Sequence, residues 1–390
     1  MSVNTATTNS PRYRWVILIV TLLAFVAFAF SFQIVPPLIP SILREFNITN
    51  AEAGWLMSAV LIPGLLLGVF VSNLIRRLGA KMTILLSLTL VILGTLSSSA
   101  ANSYAVLLLG RLILGLGGAI ILPTTPSIIS QWFDKEELGK AMGIFAVNMP
   151  LATIFALPLA GTLSLGAGWR YAFYLSAAIA IAVTIVFATL FKEKPITYNK
   201  DNSIRKALRN IEIWKVAIIW LLFQASMLSF VTWTPALLER YQGMAKVEAS
   251  FTTSILSWVS LILVPIYGAL SDRLRKRKLF FISGFALMTL MLFIISLNSG
   301  PTIILTFLAL GAASSMIPPI VQTMPSEILG LDMASVGFGV LTILGNIGPI
   351  LAPPLIGYVL DSTNSYFYSI VILAVLTILG TVLGILLKSK

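Results

Sequence analysis

The chain has 390 residues, of which 58% are hydrophobic and 10% charged, with 26 Lys and Arg against 14 Asp and Glu for a net charge of +12. Ordinary soluble domains are roughly a quarter charged, so this composition excludes a water-soluble fold and makes a lipid bilayer the solvent. It contains neither cysteine nor histidine, which removes disulfide and thiol chemistry, the commonest metal ligand and the usual proton shuttle.

A helix crossing hydrocarbon needs about 20 mostly apolar residues. In chain order, twelve segments qualify, at 15–42, 52–75, 82–101, 104–130, 140–165, 170–191, 214–240, 249–271, 279–298, 301–326, 333–360 and 366–387. They are too long for barrel strands, which need only about ten alternating residues each. The polar start, Ser2 to Ser10 followed by Arg12 and Arg14, has the form of a signal-peptide n-region. The apolar stretch after it is long, however, and its loss would leave the first half one span short, so it is read as a retained span. Residues 192–213 carry Lys192, Glu193, Lys194, Lys200, Arg205, Lys206 and Arg209 and read as a cytoplasmic tether. The expected architecture is therefore an all-α integral membrane protein. It comprises a six-helix bundle over 1–191, the linker 192–213 and a second six-helix bundle over 214–390.

The two halves are copies. Ser72 to Leu78 recurs 196 residues later as Gly268 to Leu274, and the same offset pairs Glu52 with Glu248, Gly115 with Gly311, Pro123 with Pro319, Gly143 with Gly339, Pro158 with Pro354 and Gly161 with Gly357. A fixed offset over so much sequence is the mark of a tandem repeat. Six spans per copy bring both copies in from the same side of the membrane, so the repeat is parallel, about an axis along the membrane normal.

Charge sets the orientation. With the N-terminus placed in the cytoplasm, 21 of the 26 Lys and Arg fall on the inner side and four on the outer side (Arg44, Arg170, Arg240 and Lys246), leaving Arg111 within a span. This is the positive-inside pattern, which explains the basicity by topology and gives no reason to expect nucleic acid. Both termini are expected in the cytoplasm of a cell membrane.

Depth sorts the candidate site residues. All 14 acids lie at loops or span ends, so Arg111 is the one ionisable side chain well inside the membrane apart from tyrosines. A charge there is a functional candidate by default. It either attracts an anionic solute or braces neighbouring backbone carbonyls. At 1.5 Å per residue, Asn148, Gln224, Trp258 and Asn346 fall in the middle third, where a substrate site is expected. Gln33 and Trp233 near the outer end and Gln322 near the inner end suit gates. Each polar residue has the alternative of joining helices by hydrogen bonds, and Gly115, Gly117 and Gly118 read as close-packing positions.

Three motifs carry a resemblance. Gly268-Ala-Leu-Ser-Asp-Arg-Leu-Arg-Lys-Arg277, Gly110-Arg-Leu-Ile-Leu-Gly-Leu-Gly-Gly-Ala119 and Trp169-Arg170, together with twelve spans, resemble the major facilitator superfamily over the whole chain. The parallel repeat is itself a known property of that family. Pro40 and Thr234-Pro235-Ala-Leu-Leu-Glu239 are faintly similar to its cyanate and organic-anion permeases. The resemblance implies a conformational role for Asp272 with Arg273. It also implies an acid where this chain has Arg76, meeting the start of the eleventh helix. Asp332 stands just before that start, so Arg76 and Asp332 are expected to form a charge-inverted inner gate, with Arg76 as one more positive-inside charge the alternative.

The resulting expectation is a secondary transporter of a small organic anion working by alternating access, alone as a monomer and without cofactor or metal. With neither histidine nor a buried carboxylate, a coupled proton would travel on the substrate. Export of apolar drug-like compounds is the runner-up. A non-transporting sensor or scaffold would call for a soluble output domain or long tails, and no nucleophile–base pair or metal cluster suggests an enzyme.

Overall fold

The computed structural model describes residues 12–67, 70–194, 209–274, 276–297, 302–330 and 334–387. Among them are twelve helices of membrane-crossing length and hydropathy: α1 (Tyr13–Phe46), α2 (Asn50–Leu67), α3 (Asn73–Ser99), α4 (Tyr104–Trp132), α5 (Glu136–Gly166), α6 (Trp169–Leu190), α7 (Ile211–Tyr241), α8 (Lys246–Leu274), α9 (Arg277–Leu297), α10 (Ile303–Leu329), α11 (Val336–Thr363) and α12 (Tyr366–Leu386). They match the twelve expected spans one for one, and the described residues contain no strand. A helix satisfies its backbone polar groups internally, which hydrocarbon demands.

Several helices are interrupted, and prolines explain where. The regular part of α1 ends at Gln33 and is followed by a short 3₁₀ turn, Pro36–Leu38, before helix resumes at Ile39–Phe46. Proline has no N–H, so Pro36 and Pro37 withdraw the donors that the carbonyls of Phe32 and Gln33, four residues earlier, would otherwise receive. α2 opens as Asn50–Ser58, turns through Ala59–Leu61 and resumes at Ile62–Leu67 with Pro63 at its second position. Further on, Gly79 breaks the helical run Val71–Ser99 at φ 79° and ψ 166°, a conformation essentially confined to glycine. The Glu193 carboxylate fills the space there: a Cβ on Gly79 would lie 2.0 Å from its Oε1. The same oxygen accepts from the Ala80 N–H at 2.6 Å, capping the renewed helix.

The chain divides into two compact units. One contains Met1–Ile34, Ala59–Ala156 and Gly166–Tyr198; the other contains Val35–Ser58, Leu157–Leu165 and Asn199–Lys390. The polypeptide therefore changes unit five times: next to the α1 break, next to the Ala59–Leu61 turn, at Leu157 one residue before Pro158, back at Gly166, and finally between 198 and 199. The tether expected at 192–213 lies partly outside the described residues, from 195 to 208.

In the first unit, small residues bring α3 and α4 together. A Cβ on Gly94 would sit 2.4 Å from the Leu114 nitrogen, and one on Gly115 would sit 2.4 Å from the Val60 carbonyl of α2. Ser87 donates to the Gly117 carbonyl at 2.7 Å. In the second unit α7 and α11 approach as closely, with Gly348 against the Leu221 carbonyl and Gly345 against the Trp220 ring. The α9–α12 pair is joined by Thr289 and Thr377, 2.7 Å apart, and α8–α10 by Ser315 donating to Ser260 at 3.1 Å. Without a hydrophobic force between helices in lipid, such close backbone approach and interhelical hydrogen bonds hold a bundle together.

Candidate functional site

The first unit centres on Arg111. Its side chain is fully buried, at 0% exposure; Nη1 donates to the Ser31 carbonyl at 2.8 Å and Nη2 to the Phe32 carbonyl at 3.0 Å. The Phe32 carbonyl is one of those left without an amide donor by the proline pair, and the planar fork of a guanidinium suits two adjacent acceptors. Neighbouring helices hold the same turn of α1. The Ser31 hydroxyl lies 2.6 Å from that of Ser176 on α6, and Gln33 Nε2 donates to Thr153 on α5 at 2.8 Å. Between the two roles the sequence allowed Arg111, this is the geometry of a backbone brace. In this structure the guanidinium is taken up by those two carbonyls and is closed to solvent. Gln33, expected at a gate, is part of the same buried belt.

Asn148 is buried and donates to the Phe145 carbonyl at 2.7 Å, fastening the turn at which α5 resumes. In the second unit Gln224 on α7 and Asn346 on α11 are both half-buried, on two helices in close contact. Trp258 on α8 is 44% exposed. Trp233 is buried and its indole N–H donates to the Pro353 carbonyl of α11 at 3.1 Å, whereas Gln322 is exposed.

Asp272 pairs with Arg277 at 2.8 Å rather than with the adjacent Arg273, which is exposed. Arg277 also meets Glu327 and Thr323 at the end of α10, so one guanidinium ties the ends of α8, α9 and α10. Successive residues on a helix do not face each other, which is why Asp272 reaches past its neighbour. Arg76 is exposed and hydrogen-bonded to Asn73. Asp332, its expected partner, lies outside the described residues.

Sequence reasoning passed over three groups. Glu193 caps the helix at Ala80. Glu327 joins the Asp272 cluster. Asp361, at the end of α11, takes the first amides of α2: Oδ1 accepts from the Asn50 N–H at 2.9 Å and from its Nδ2 at 2.7 Å, and Oδ2 accepts from the Ala51 N–H at 2.9 Å. The one legible signal was Thr49-x-x-Glu52, a capping box. In it Glu52 accepts from the Thr49 N–H at 2.8 Å and donates its own N–H to the Thr49 hydroxyl at 3.2 Å. Among the described residues, no group of acids is placed to hold a metal ion.

A family model for the Major Facilitator Superfamily matches residues 21–250 and 234–390. The chain belongs to that superfamily. Among its relatives, the nitrite extrusion protein of Bacillus subtilis is 26% identical over 357 residues, covering 88% of this chain and 87% of that protein. The "Probable sulfoacetate transporter SauU" of Cupriavidus necator is 22% identical over 357 residues, covering 84% and 83%. Among solved structures, a bacterial homolog to the human lysosomal transporter Spinster, in an inward-facing and occupied conformation, matches with a TM-score of 0.83 over 97% of both chains at 17% identity. That likeness shows the fold. The chain is thus a multi-pass membrane transporter of the superfamily.

Proposed function

We propose that the chain carries a small organic anion across the cell membrane by alternating access, with both termini in the cytoplasm and one chain sufficient. Two six-helix halves, joined by the basic tether, are the working parts of this reading, and a coupled proton travels on the substrate. The observation that supports it is the division of the chain into two units, between which α1 passes beside Pro36 and α5 beside Pro158. Helices broken at such points bend without tearing a continuous hydrogen-bond ladder. A relative named for sulfoacetate supports an organic anion and one named for nitrite supports a small anion. Gln224, Asn346, Trp258, Asn148 and Arg111 are the candidate substrate contacts, with Gln33, Trp233, Gln322, Arg76, Asp332, Asp272 and Arg273 the candidate gating residues.

The experiment is counterflow in proteoliposomes with a panel of small anions, set against a panel of lipophilic drug cations. Saturable exchange of an anion is expected, and loss of that exchange in the Gln224→Leu, Asn346→Leu double variant. Flux confined to the cations would refute the anion reading.

A further inference from the structure

The segment Val35–Ser58 is covalently continuous with the first unit at both ends, yet it packs in the second. Its start of α2 lies against the end of α11 along a seam of small groups. A Cβ on Gly54 would be 2.6 Å from the Pro353 carbonyl, a Cβ on Gly357 would be 2.3 Å from the Asn50 carbonyl, and the Ser58 hydroxyl donates to the Pro349 carbonyl at 3.3 Å. The seam ends at the Asp361 carboxylate on the Asn50 and Ala51 amides, where the positive end of the α2 dipole favours an anion.

We propose that Asp361 is the latch of a gate on the face opposite the termini, holding α2 to α11 in the closed state and releasing it when that face opens. This rests on the transport reading, which requires such a release. The chemistry of the α2 start suits parting. The Glu52 N–H is satisfied by the Thr49 hydroxyl and the Ala53 N–H by the Thr49 carbonyl at 3.0 Å, so only the two amides bound by Asp361 pass to water. Helix α2 therefore keeps its first turn whether the latch is shut or open. The breaks at Pro36–Pro37 and Ala59–Leu61 flank the segment and let it swing.

The chain has no cysteine, so Ser58→Cys supplies a single thiol under the seam, and Ser87→Cys supplies a control thiol buried in the first unit. The rate of modification by a hydrophilic maleimide is measured on purified full-length protein. Asp361→Ala is expected to raise the Ser58→Cys rate about fivefold or more, the scale of one hydrogen bond to a charged group at a helix start. Asp361→Asn gives a smaller rise. Gly357→Ala, which wedges the seam by a different means, raises it too. The Ser87→Cys rate stays constant throughout. An unchanged Ser58→Cys rate in Asp361→Ala and Gly357→Ala, or a parallel rise at Ser87→Cys that signals general loosening, overturns the latch. Anion exchange is scored separately: its absence alongside a selective Ser58→Cys rise removes the cargo reading and keeps the latch.

Discussion

Arg111 and Phe307 occupy the same place in the two repeats, 196 residues apart, and are both fully buried. One is a cation bonded to α1; the other is an apolar ring 5.6 Å from Phe230 on α7. The difference lies in the helices they touch. α1 is broken by an adjacent proline pair, whereas α7 runs unbroken from Ile211 to Tyr241 with the single Pro235. Where an amide donor to Phe32 is missing, a side chain supplies the hydrogen bond; at the equivalent turn of α7, Thr232 and Trp233 stand in place of the prolines and apolar packing suffices. A charge in the middle of a membrane helix thus answers a need of the backbone before any need of a ligand.

The sharpest way to break the comparison is Phe307→Arg, which places the first half's solution where no carbonyl awaits it. An uncompensated buried charge costs about 3–5 kcal/mol, so loss of monodisperse protein on size-exclusion chromatography is expected. Next in size is Arg111→Leu. It leaves the Ser31 and Phe32 carbonyls unpaired at about 1–3 kcal/mol each, and a clear drop in thermal midpoint in detergent should follow. Adding Pro36→Ala to that variant returns an amide to the Phe32 carbonyl and should recover about 1 kcal/mol. A double-mutant cycle measures this coupling, and strict additivity would show that proline and arginine are unconnected. The smallest effect belongs to the loops. Arg277→Ala dismantles the tie among α8, α9 and α10, but Asp272 and Glu327 are 61% and 45% exposed. A loss of about 0.5 kcal/mol is expected in the same melt, in keeping with solvent-screened pairs.

The loops repeat the lesson in another form. The first-half positions equivalent to Asp272, Arg277 and Glu327 hold Arg76, Lys81 and Gln131, so the acids are gone and the mixed-charge tie cannot form there. Glu193, arriving from the end of α6, supplies a carboxylate instead and spends it on a backbone amide beside Gly79. The repeat conserves the fastening of a helix start while changing the group that fastens it.

The twelve spans and their pairing into copies could be read from sequence because hydrocarbon tolerates few alternatives and an offset of 196 is arithmetic. The destination of Arg111 could not, although both halves of the answer were visible as Pro36–Pro37 and a lone cation; nothing local says which carbonyl faces which helix. Asp361 was legible only as an acid at a span end, since its partners lie 310 and 311 residues away. The Asp272–Arg277 contact was not legible, because nothing in the sequence says which of the neighbouring basic residues the carboxylate meets. The polar midspan residues Gln224 and Asn346 were found by depth alone, and they lie on two helices, α7 and α11, that approach closely at Gly345 and Gly348.

The proline pair in α1 has a historical corollary. A lineage that acquired Pro36 before a basic residue stood at position 111 would have carried a buried, orphaned Phe32 carbonyl through every generation in between. The arginine is expected to be the permissive change and the proline the dependent one. Ancestral sequences rebuilt for this branch should show the cation arriving first, and chains that lose it should be found to have lost the proline already.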